Sequence, residues 1–150
     1  MAPFDVVLPS RPAIPESVVQ PDICVICDEL KIQEKRCYGP PDLVVEILSP
    51  STRRKDLNQK RMLYESHGVR EYWVVDPEMP EIQSFIPDES GRFKISAKAG
   101  HGEILRSHCF PDLEIDVDFI FRNTVSEPQH GYRRIRKKES RMMERRMVRI

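Results

Sequence analysis

The sequence predicts a mixed α/β fold, in which a β-sheet is flanked by a helix and followed by a basic tail. Two short apolar runs, residues 23–26 and 43–45, each follow a Pro-Asp dipeptide and are typical of buried strands. A third run, residues 71–75, is rich in aromatic and β-branched side chains. An amphipathic segment lies between the second and third runs, and a helix between near-continuous apolar strands indicates an α/β unit.

The N-terminal part is predicted to contain three strands. Residues 4–8 form a short first strand and residues 18–27 a second one, while five prolines within residues 1–21 exclude a helix interior. A polar connection over residues 28–39 leads to the third strand, residues 42–48.

A helix is predicted from about residue 53 to His67, because its apolar residues form one stripe. The hydroxyls of Ser51 and Thr52 are suited to cap its first turn. Gly68 is suited to the left-handed position that ends a helix.

Strands are predicted to dominate the chain after this helix. Residues 69–76 form a strand, and residues 82–86 and 92–97 form an antiparallel hairpin, which makes the sheet mixed. Residues 103–106 form another short strand, and residues 111–121 alternate apolar and acidic side chains as a strand does.

One domain is expected for 150 residues, and we assign it to residues 1–122, with a tail at residues 123–150. The net charge is zero, but residues 131–150 contain nine Lys/Arg and two Asp/Glu, a net +7 that leaves −7 for residues 1–130. An acidic body argues against a broad nucleic-acid surface outside the tail. The tail is predicted to be a basic helix or disordered, and its role as a solvated extension, a nucleic-acid arm or a partner helix stays open.

The sequence contains no run near the roughly 20 apolar residues that span a bilayer, and residues 1–5 do not resemble a signal peptide. We therefore expect a soluble cytoplasmic protein with no membrane partner. Cys24 and Cys27 have the spacing of a zinc clip, but no second pair completes a set of four ligands. Reduced thiols in the core are expected, with zinc as the alternative.

Glu46 is the most informative residue, because an ionised carboxylate inside an apolar strand is normally paired, protonated or bound to a metal. Asp42 lies four residues away, about 13 Å along a strand, and cannot share one ion with Glu46. Asp22 starts another strand and comes within about 4.8 Å of Glu46 if the two strands are neighbours. Asp22 and Glu46 are therefore the predicted ligands of a hard divalent cation.

Lys60 is the candidate positively charged side chain for this site, because the helix begins only a few residues after Glu46. Asp56, Lys60 and Tyr64 follow one another at intervals of four residues and lie along one stripe of the helix. The alternative for Asp56 and Lys60 is an exposed ion pair on the helix surface.

Other candidate residues have plainer interpretations. Trp73 and Tyr72 lie in a valine-rich strand, where core packing is expected over base stacking. Asp76 is suited to orient a turn and His67 to interact with the helix end, while Glu71 is the alternative third acid near the site.

The ordered motifs resemble a known family. They are the Pro21-Asp22 dipeptide, residues 39–52 (GPPDLVVEILSPST), then Asp56, Lys60 and Tyr64, and residues 68–77 (GVREYWVVDP). Together they resemble the signature of the Uma-two family of "putative restriction endonucleases", within the PD-(D/E)XK nuclease-like superfamily. The resemblance spans roughly residues 3–121.

The resemblance implies a restriction-endonuclease-like mixed sheet with a flanking helix, and binding of Mg²⁺ or Mn²⁺ by Asp22 and Glu46. The superfamily pattern has a lysine at the position of Leu48, and the family's substitute from the following helix maps onto Lys60. The implied activity is hydrolysis of DNA phosphodiester bonds, with Asp22, Glu46 and Lys60 as catalytic residues. A catalytically silent relative that binds nucleic acid or protein is the alternative, and a homodimer stays open.

Family members normally carry a helical segment and further strands before the match that starts at residue 2. We therefore expect this sequence to be N-terminally truncated and to lack one flank of the sheet.

Overall fold

The computed structural model describes residues 4–51, 53, 55–122 and 148–149 and has the mixed α/β architecture that the sequence predicts. The helices are α1 (Arg61–His67) and α2 (Val117–Arg122). The strands are β1 (Asp5–Leu8), β2 (Ser17–Val19), β3 (Ile23–Ile26), β4 (Ile32–Gln33), β5 (Arg36–Tyr38), β6 (Leu43–Ile47), β7 (Glu71–Asp76), β8 (Glu81–Pro87), β9 (Phe93–Ala99), β10 (Ile104–Arg106), β11 (Glu114–Asp116) and β12 (Val148–Arg149).

The central sheet has six strands in the order β12-β3-β6-β7-β8-β9. Strands β6 and β7 are parallel, and the connection between them carries α1. The other neighbours are antiparallel, including the predicted hairpin of β8 and β9. The sheet is therefore mixed, and β6 lies inside it between β3 and β7.

A smaller four-stranded sheet, β2-β1-β5-β4, corrects two predictions for the N-terminal part. The predicted strand over residues 18–27 is two strands, because Pro21 has no amide hydrogen and interrupts the run. Strand β2 pairs with β1, whereas β3 joins the central sheet. The predicted polar connection over residues 28–39 contains a 3₁₀ turn, Glu29–Lys31, followed by β4 and β5.

The predicted helix is present, but its first part has π-helical geometry over Lys55–Lys60 before α1 begins. Gly68 has a φ of 79° and ends α1 in the left-handed region, as predicted. Thr52, one of the two predicted caps, and the side chain of Asp56 lie outside the described part of the structure.

Two hydrophobic layers cover the central sheet, one on each face. On the first face, which we call the α1 face, the sheet packs against α1 and the four-stranded sheet through residues such as Val44, Tyr64 and Leu8. On the opposite face, the α2 face, Val45 and Trp73 pack beneath Leu105 and Val117. The side chains of β6 therefore alternate between two buried layers, which explains its nearly continuous apolar sequence.

The predicted strand over residues 111–121 is only partly correct. Residues in β11 pair with β10, but the chain then turns into α2. The Asp116 carboxylate accepts a hydrogen bond of 3.2 Å from the amide of Phe119, which is the interaction of a helix cap. A local cap therefore overrides the alternating pattern.

Most of the predicted tail lies outside the described residues. Val148 and Arg149 form β12, which pairs with β3, so these two residues are extended rather than helical. Within the described ranges, the structure contains no helix that is both long enough and apolar enough to cross a membrane.

Candidate active site

Glu46 lies near the end of β6 and points to the α1 face, between Val44 and Leu48 in the alternation of that strand. Its side chain is buried, with a residue exposure of only 1%. Such a position is costly for a carboxylate unless other groups of the protein compensate its charge.

Two residues of the following helix supply that compensation. The Nζ atom of Lys60 lies 2.8 Å from Oε2 of Glu46, and the hydroxyl of Tyr64 donates a 2.7 Å hydrogen bond to Oε1. The two donors are four residues apart, so they project from the same side of the helix. The helix therefore engages both oxygens of the carboxylate.

Tyr64 is fully buried, and its ring packs at 5.4 Å from the ring of Tyr72. Tyr72 in turn packs near Phe85 and Phe93. The hydroxyl of Tyr64 is thus fixed by an aromatic cluster on β7, β8 and β9. Tyr64 lies on the predicted helix stripe of Lys60, and this four-residue spacing was the signal in the sequence for its contact with Glu46, which was not predicted.

Asp22 directly precedes β3, which is the antiparallel neighbour of β6. Ile23 pairs with Val45, so continuation of this register places Asp22 opposite Glu46. The Oδ2 atom of Asp22 accepts a 2.7 Å hydrogen bond from the amide of Ile47, the residue after Glu46. The structure therefore brings Asp22, Glu46 and Lys60 to one end of β6, as the sequence predicts.

The surroundings of Glu46 shift the pKa of its carboxyl group in both directions. Burial raises its pKa above the ordinary value of 4.5, while the contacts with Lys60 and Tyr64 lower it. The charge of the Asp22 carboxylate raises it further, because two like charges near each other disfavour ionisation. A cation between the two carboxylates would relieve this repulsion.

The donor set is suited to a hard divalent cation. Mg²⁺ is usually held by one or two carboxylates and completes its coordination with waters and substrate phosphates. The described residues contain no group of three or more His, Cys, Asp or Glu side chains that could hold a metal. Asp22 and Glu46 supply the two carboxylates that such a Mg²⁺ site needs.

Leu48 and Asp42, the other two residues of this strand segment that were considered for the site, have structural contacts. Leu48, which stands where the superfamily pattern has lysine, is buried in the hydrophobic layer of the α1 face. Asp42 accepts a 2.8 Å hydrogen bond from the amide of Cys27 and a 3.1 Å bond from Arg70. Burial alone would raise the pKa of Asp42, but these bonds lower it below its ordinary value.

Glu71 is not a third acid of this site, so that alternative is wrong. In the alternation of β7, Glu71 points to the same side as Trp73, which is the α2 face, whereas Glu46 points to the α1 face. Its carboxylate accepts hydrogen bonds from the side chains of Trp73, Ser84 and Ser107 and from the amides of His108 and Cys109, at 2.6–3.1 Å. Burial would raise its pKa, but these donors together lower it.

The cysteines form no disulfide in the described structure, and all four are free. Cys24 is buried in the α1 layer, and burial raises the pKa of its thiol to about 11. Cys27 is half-buried, and its amide contacts Asp42. The expected core thiol is confirmed for Cys24, and the zinc alternative finds no ligand cluster among the described residues.

The remaining candidates have structural contacts. Trp73 and Tyr72 are buried in the core as expected. Asp76 accepts hydrogen bonds from the amides of Glu78 and Met79 and thereby orients the turn after β7. His67 is buried in the last turn of α1, where its Nδ1 lies 2.8 Å from the carbonyl oxygen of Leu63.

Comparisons with known proteins identify the family and the fold. Residues 4–118 match the Uma2 (Uma-two) family, which is described as "Putative restriction endonuclease". The structure resembles the crystal structure of a "putative nuclease" from Anabaena variabilis ATCC 29413, with a TM-score of 0.60 and 16% sequence identity. The match covers 81% of this chain and 66% of that chain, so this chain spans just under two thirds of that protein. At this identity the likeness shows the fold, and no curated protein matches the sequence.

Proposed function

The chain belongs to the Uma2 family of "putative restriction endonucleases", and on this premise we propose that it is a metal-dependent nuclease that hydrolyses phosphodiester bonds of DNA. The observation that carries the proposal is the convergence of two acids and one ammonium at the end of β6. Asp22 comes from the segment before β3, Glu46 from β6 and Lys60 from the helical segment.

Asp22 and Glu46 are the residues that would hold Mg²⁺ or Mn²⁺. When bound, such an ion polarises the phosphate and lowers the pKa of the attacking water. Glu46 supplies a buried carboxylate whose orientation is fixed by Tyr64, and Asp22 supplies a carboxylate on the solvent side. An ion held by these two residues would be open to a substrate phosphate from the side of Asp22, whose side chain is exposed.

Lys60 would act next to the ion. Its side chain is 17% exposed, so its ammonium lies between the buried Glu46 carboxylate and the surface. A fixed cation in this position stabilises negative charge that develops on the phosphate. Lys60 would therefore perform the role that the superfamily lysine has at the position of Leu48.

A second candidate function is a catalytically silent protein that keeps the fold and binds nucleic acid or a protein partner. The observation that favours it is the engagement of both Glu46 oxygens by Lys60 and Tyr64. In that case the ion pair would stabilise the structure and would not bind a cation. Removal of residues 123–150, which contain the basic segment, would then abolish nucleic-acid binding, whereas a nuclease would keep its metal site.

The test is cleavage of supercoiled plasmid DNA by the purified protein in Mg²⁺, with EDTA as the metal-free reference. We expect Mg²⁺-dependent cleavage in the wild type and a loss of about 100-fold or more in Glu46→Ala. Glu114→Ala on β11 is the matched control, because its side chain is 47% exposed and β11 pairs with β10 outside the six-stranded sheet. Cleavage that persists in Glu46→Ala would contradict the assignment of the site.

A further inference from the structure

Two consecutive residues of α1 form hydrogen bonds with two different strands of the central sheet. Tyr64 donates to Glu46 on β6. The Oε2 atom of Glu65 accepts a 2.6 Å hydrogen bond from the amide of Phe93, the first residue of β9. We propose that Glu65 is a positioning residue, which holds α1 so that Tyr64 and Lys60 reach the buried carboxylate of β6. The proposal rests on the proposed nuclease function and adds to it a residue outside the metal site.

The two contacts lie far apart on the sheet. Strands β7 and β8 lie between β6 and β9, so the strands that carry Glu46 and Phe93 are about 14 Å apart, at about 4.8 Å for each neighbouring pair. Consecutive residues of a helix differ by about 100° around its axis. Because the two hydrogen bonds point in different directions, together they fix the rotation of α1 and its direction across the sheet.

Aromatic packing links the same two points of the sheet. The ring of Tyr64 lies 5.4 Å from that of Tyr72, and the ring of Tyr72 stacks 6.0 Å from that of Phe93. Because the amide of Phe93 bonds to Glu65, these contacts form a closed path from α1 through β7 and β9 back to α1. Loss of the Glu65 contact therefore opens a path that includes Tyr64.

Lys60 directly precedes α1 and has helical backbone angles, φ −65° and ψ −41°, so its position depends on that of the helix. The next residue, Arg61, contacts the sheet only through its guanidinium, which lies 5.0 Å from the centre of the Phe85 ring on β8. A cation–π contact of a partly exposed arginine is weak. The bond from an amide to the Glu65 carboxylate is charge-assisted and therefore stronger. We assign the position of α1 to Glu65 for this reason.

The first experiment is a double-mutant cycle of Tyr64→Phe and Glu65→Ala, measured by urea denaturation of the metal-free protein. In the wild-type background, Tyr64→Phe should raise the equilibrium constant of unfolding about tenfold, because a hydrogen bond to a buried charge is lost. In Glu65→Ala, where the hydroxyl is no longer held against Glu46, the same substitution should raise it less than about twofold. Additive effects would overturn the proposal, because Glu65 would then stabilise the fold without positioning Tyr64.

A second cycle uses Glu65→Asp, which keeps the charge but shortens the side chain by one methylene group. We expect the same coupling to Tyr64→Phe as with Glu65→Ala, since the shorter carboxylate no longer reaches the amide of Phe93. Circular dichroism checks the folding of each variant. Additive effects in this cycle would likewise contradict a positioning role, and the cycle decides the question if Glu65→Ala does not fold.

The second experiment measures plasmid cleavage in Mg²⁺. Glu65→Ala should lower kcat about tenfold, because both donors to Glu46 are displaced. Glu65→Gln keeps an oxygen acceptor for the amide of Phe93 and should restore the rate to about that of the wild type. Glu89→Ala, which removes an exposed acid between β8 and β9, is the matched control and should cleave as the wild type does.

Equal losses of cleavage in Glu65→Gln and Glu65→Ala would overturn the role of this hydrogen bond. The cycle in urea requires no metal, so the two proposals can fail separately. A wild type that does not cleave DNA but shows the coupling between Glu65 and Tyr64 would refute the nuclease function and support the positioning of Tyr64 by Glu65.

Discussion

The hydroxyl of Tyr64 donates a 2.7 Å hydrogen bond to Oε1 of Glu46, and both side chains are buried. Lys60, one helical turn earlier, engages the other oxygen. The position of the carboxylate in β6 is therefore set by the helix that follows it. This relationship links the fold directly to the proposed chemistry, because a shift of the helix would move both donors away from Glu46.

Tyr64→Phe should weaken cation binding about tenfold, because Glu46 loses one of the two donors that orient it. The same bond lowers the pKa of Glu46, so its loss should raise that pKa and move the pH of half-maximal cation binding upward. The measurement is calorimetric titration with Mn²⁺ across pH. Tyr38→Phe on β5, a residue that is 47% exposed, is the control. Identical pH profiles for Tyr64→Phe and the wild type would contradict the positioning role.

Lys60→Met should reduce plasmid cleavage about 100-fold, because the ammonium beside the proposed ion is lost. Cation binding at alkaline pH should be retained, since Asp22 and Glu46 are unchanged and a competing positive charge is removed. A loss of cleavage without a loss of Mn²⁺ affinity therefore distinguishes the role of Lys60 from that of the proposed metal ligands. Wild-type cleavage in Lys60→Met would rule out the role assigned to the ammonium.

Glu71→Gln should lower the free energy of unfolding at pH 7 by about 2–4 kcal/mol, because hydrogen bonds to a buried charge are replaced by weaker ones. The pKa of Glu71 is lower in the folded protein than its ordinary value of 4.5. Its contribution to stability is therefore fully present above pH 4.5 and is lost as the pH falls through the pKa of the folded protein. The difference between variant and wild type should therefore shrink at acidic pH.

Urea denaturation at pH 7 and at several pH values below 4.5 measures this difference. Glu114→Gln, an exposed acid on β11, serves as the reference and should change stability little. A stability loss in Glu71→Gln that does not depend on pH would show that the charge of Glu71 is not the source of its contribution.

Asp42→Asn should cost about 1–2 kcal/mol of stability, because the bonds from Cys27 and Arg70 lose their charged acceptor. It should leave cation binding unchanged, since Asp42 lies about 13 Å along the strand from Glu46. Thermal unfolding and Mn²⁺ titration of the same sample measure the two effects. A large loss of Mn²⁺ affinity would mean that the site is not confined to the end of β6 that carries Glu46.

The sequence predicted the strands and residues whose signals are local. The acid in the apolar run identified Glu46, the Pro-Asp break identified Asp22, and helical spacing identified Lys60. Their convergence depended on β3 and β6 being neighbours, which the register now shows. The cation itself, the DNA substrate and the catalytic roles stay predictions.

Other features depended on contacts between residues far apart in the chain. The short strand β5 pairs with β1 and with β4, and the residues of β4 and β5 themselves carry a polar pattern. The face of the sheet on which Glu71 lies could not be predicted, because it depends on the alternation of side chains in β7 and on contacts with the loop that contains Ser107 and Cys109. In α2, by contrast, the capping side chain of Asp116 was a local signal that the alternating pattern concealed.

The proposed cation site is tested most directly by calorimetric titration of Mn²⁺ into the wild type, Asp22→Asn, Glu46→Gln and Asp42→Asn. We predict one site in the wild type and in Asp42→Asn, and a loss of affinity of tenfold or more, about 1.4 kcal/mol, in each of the other two variants. Wild-type affinity in Asp22→Asn and Glu46→Gln, or no binding to the wild type, would contradict the claim that these two carboxylates hold a divalent cation.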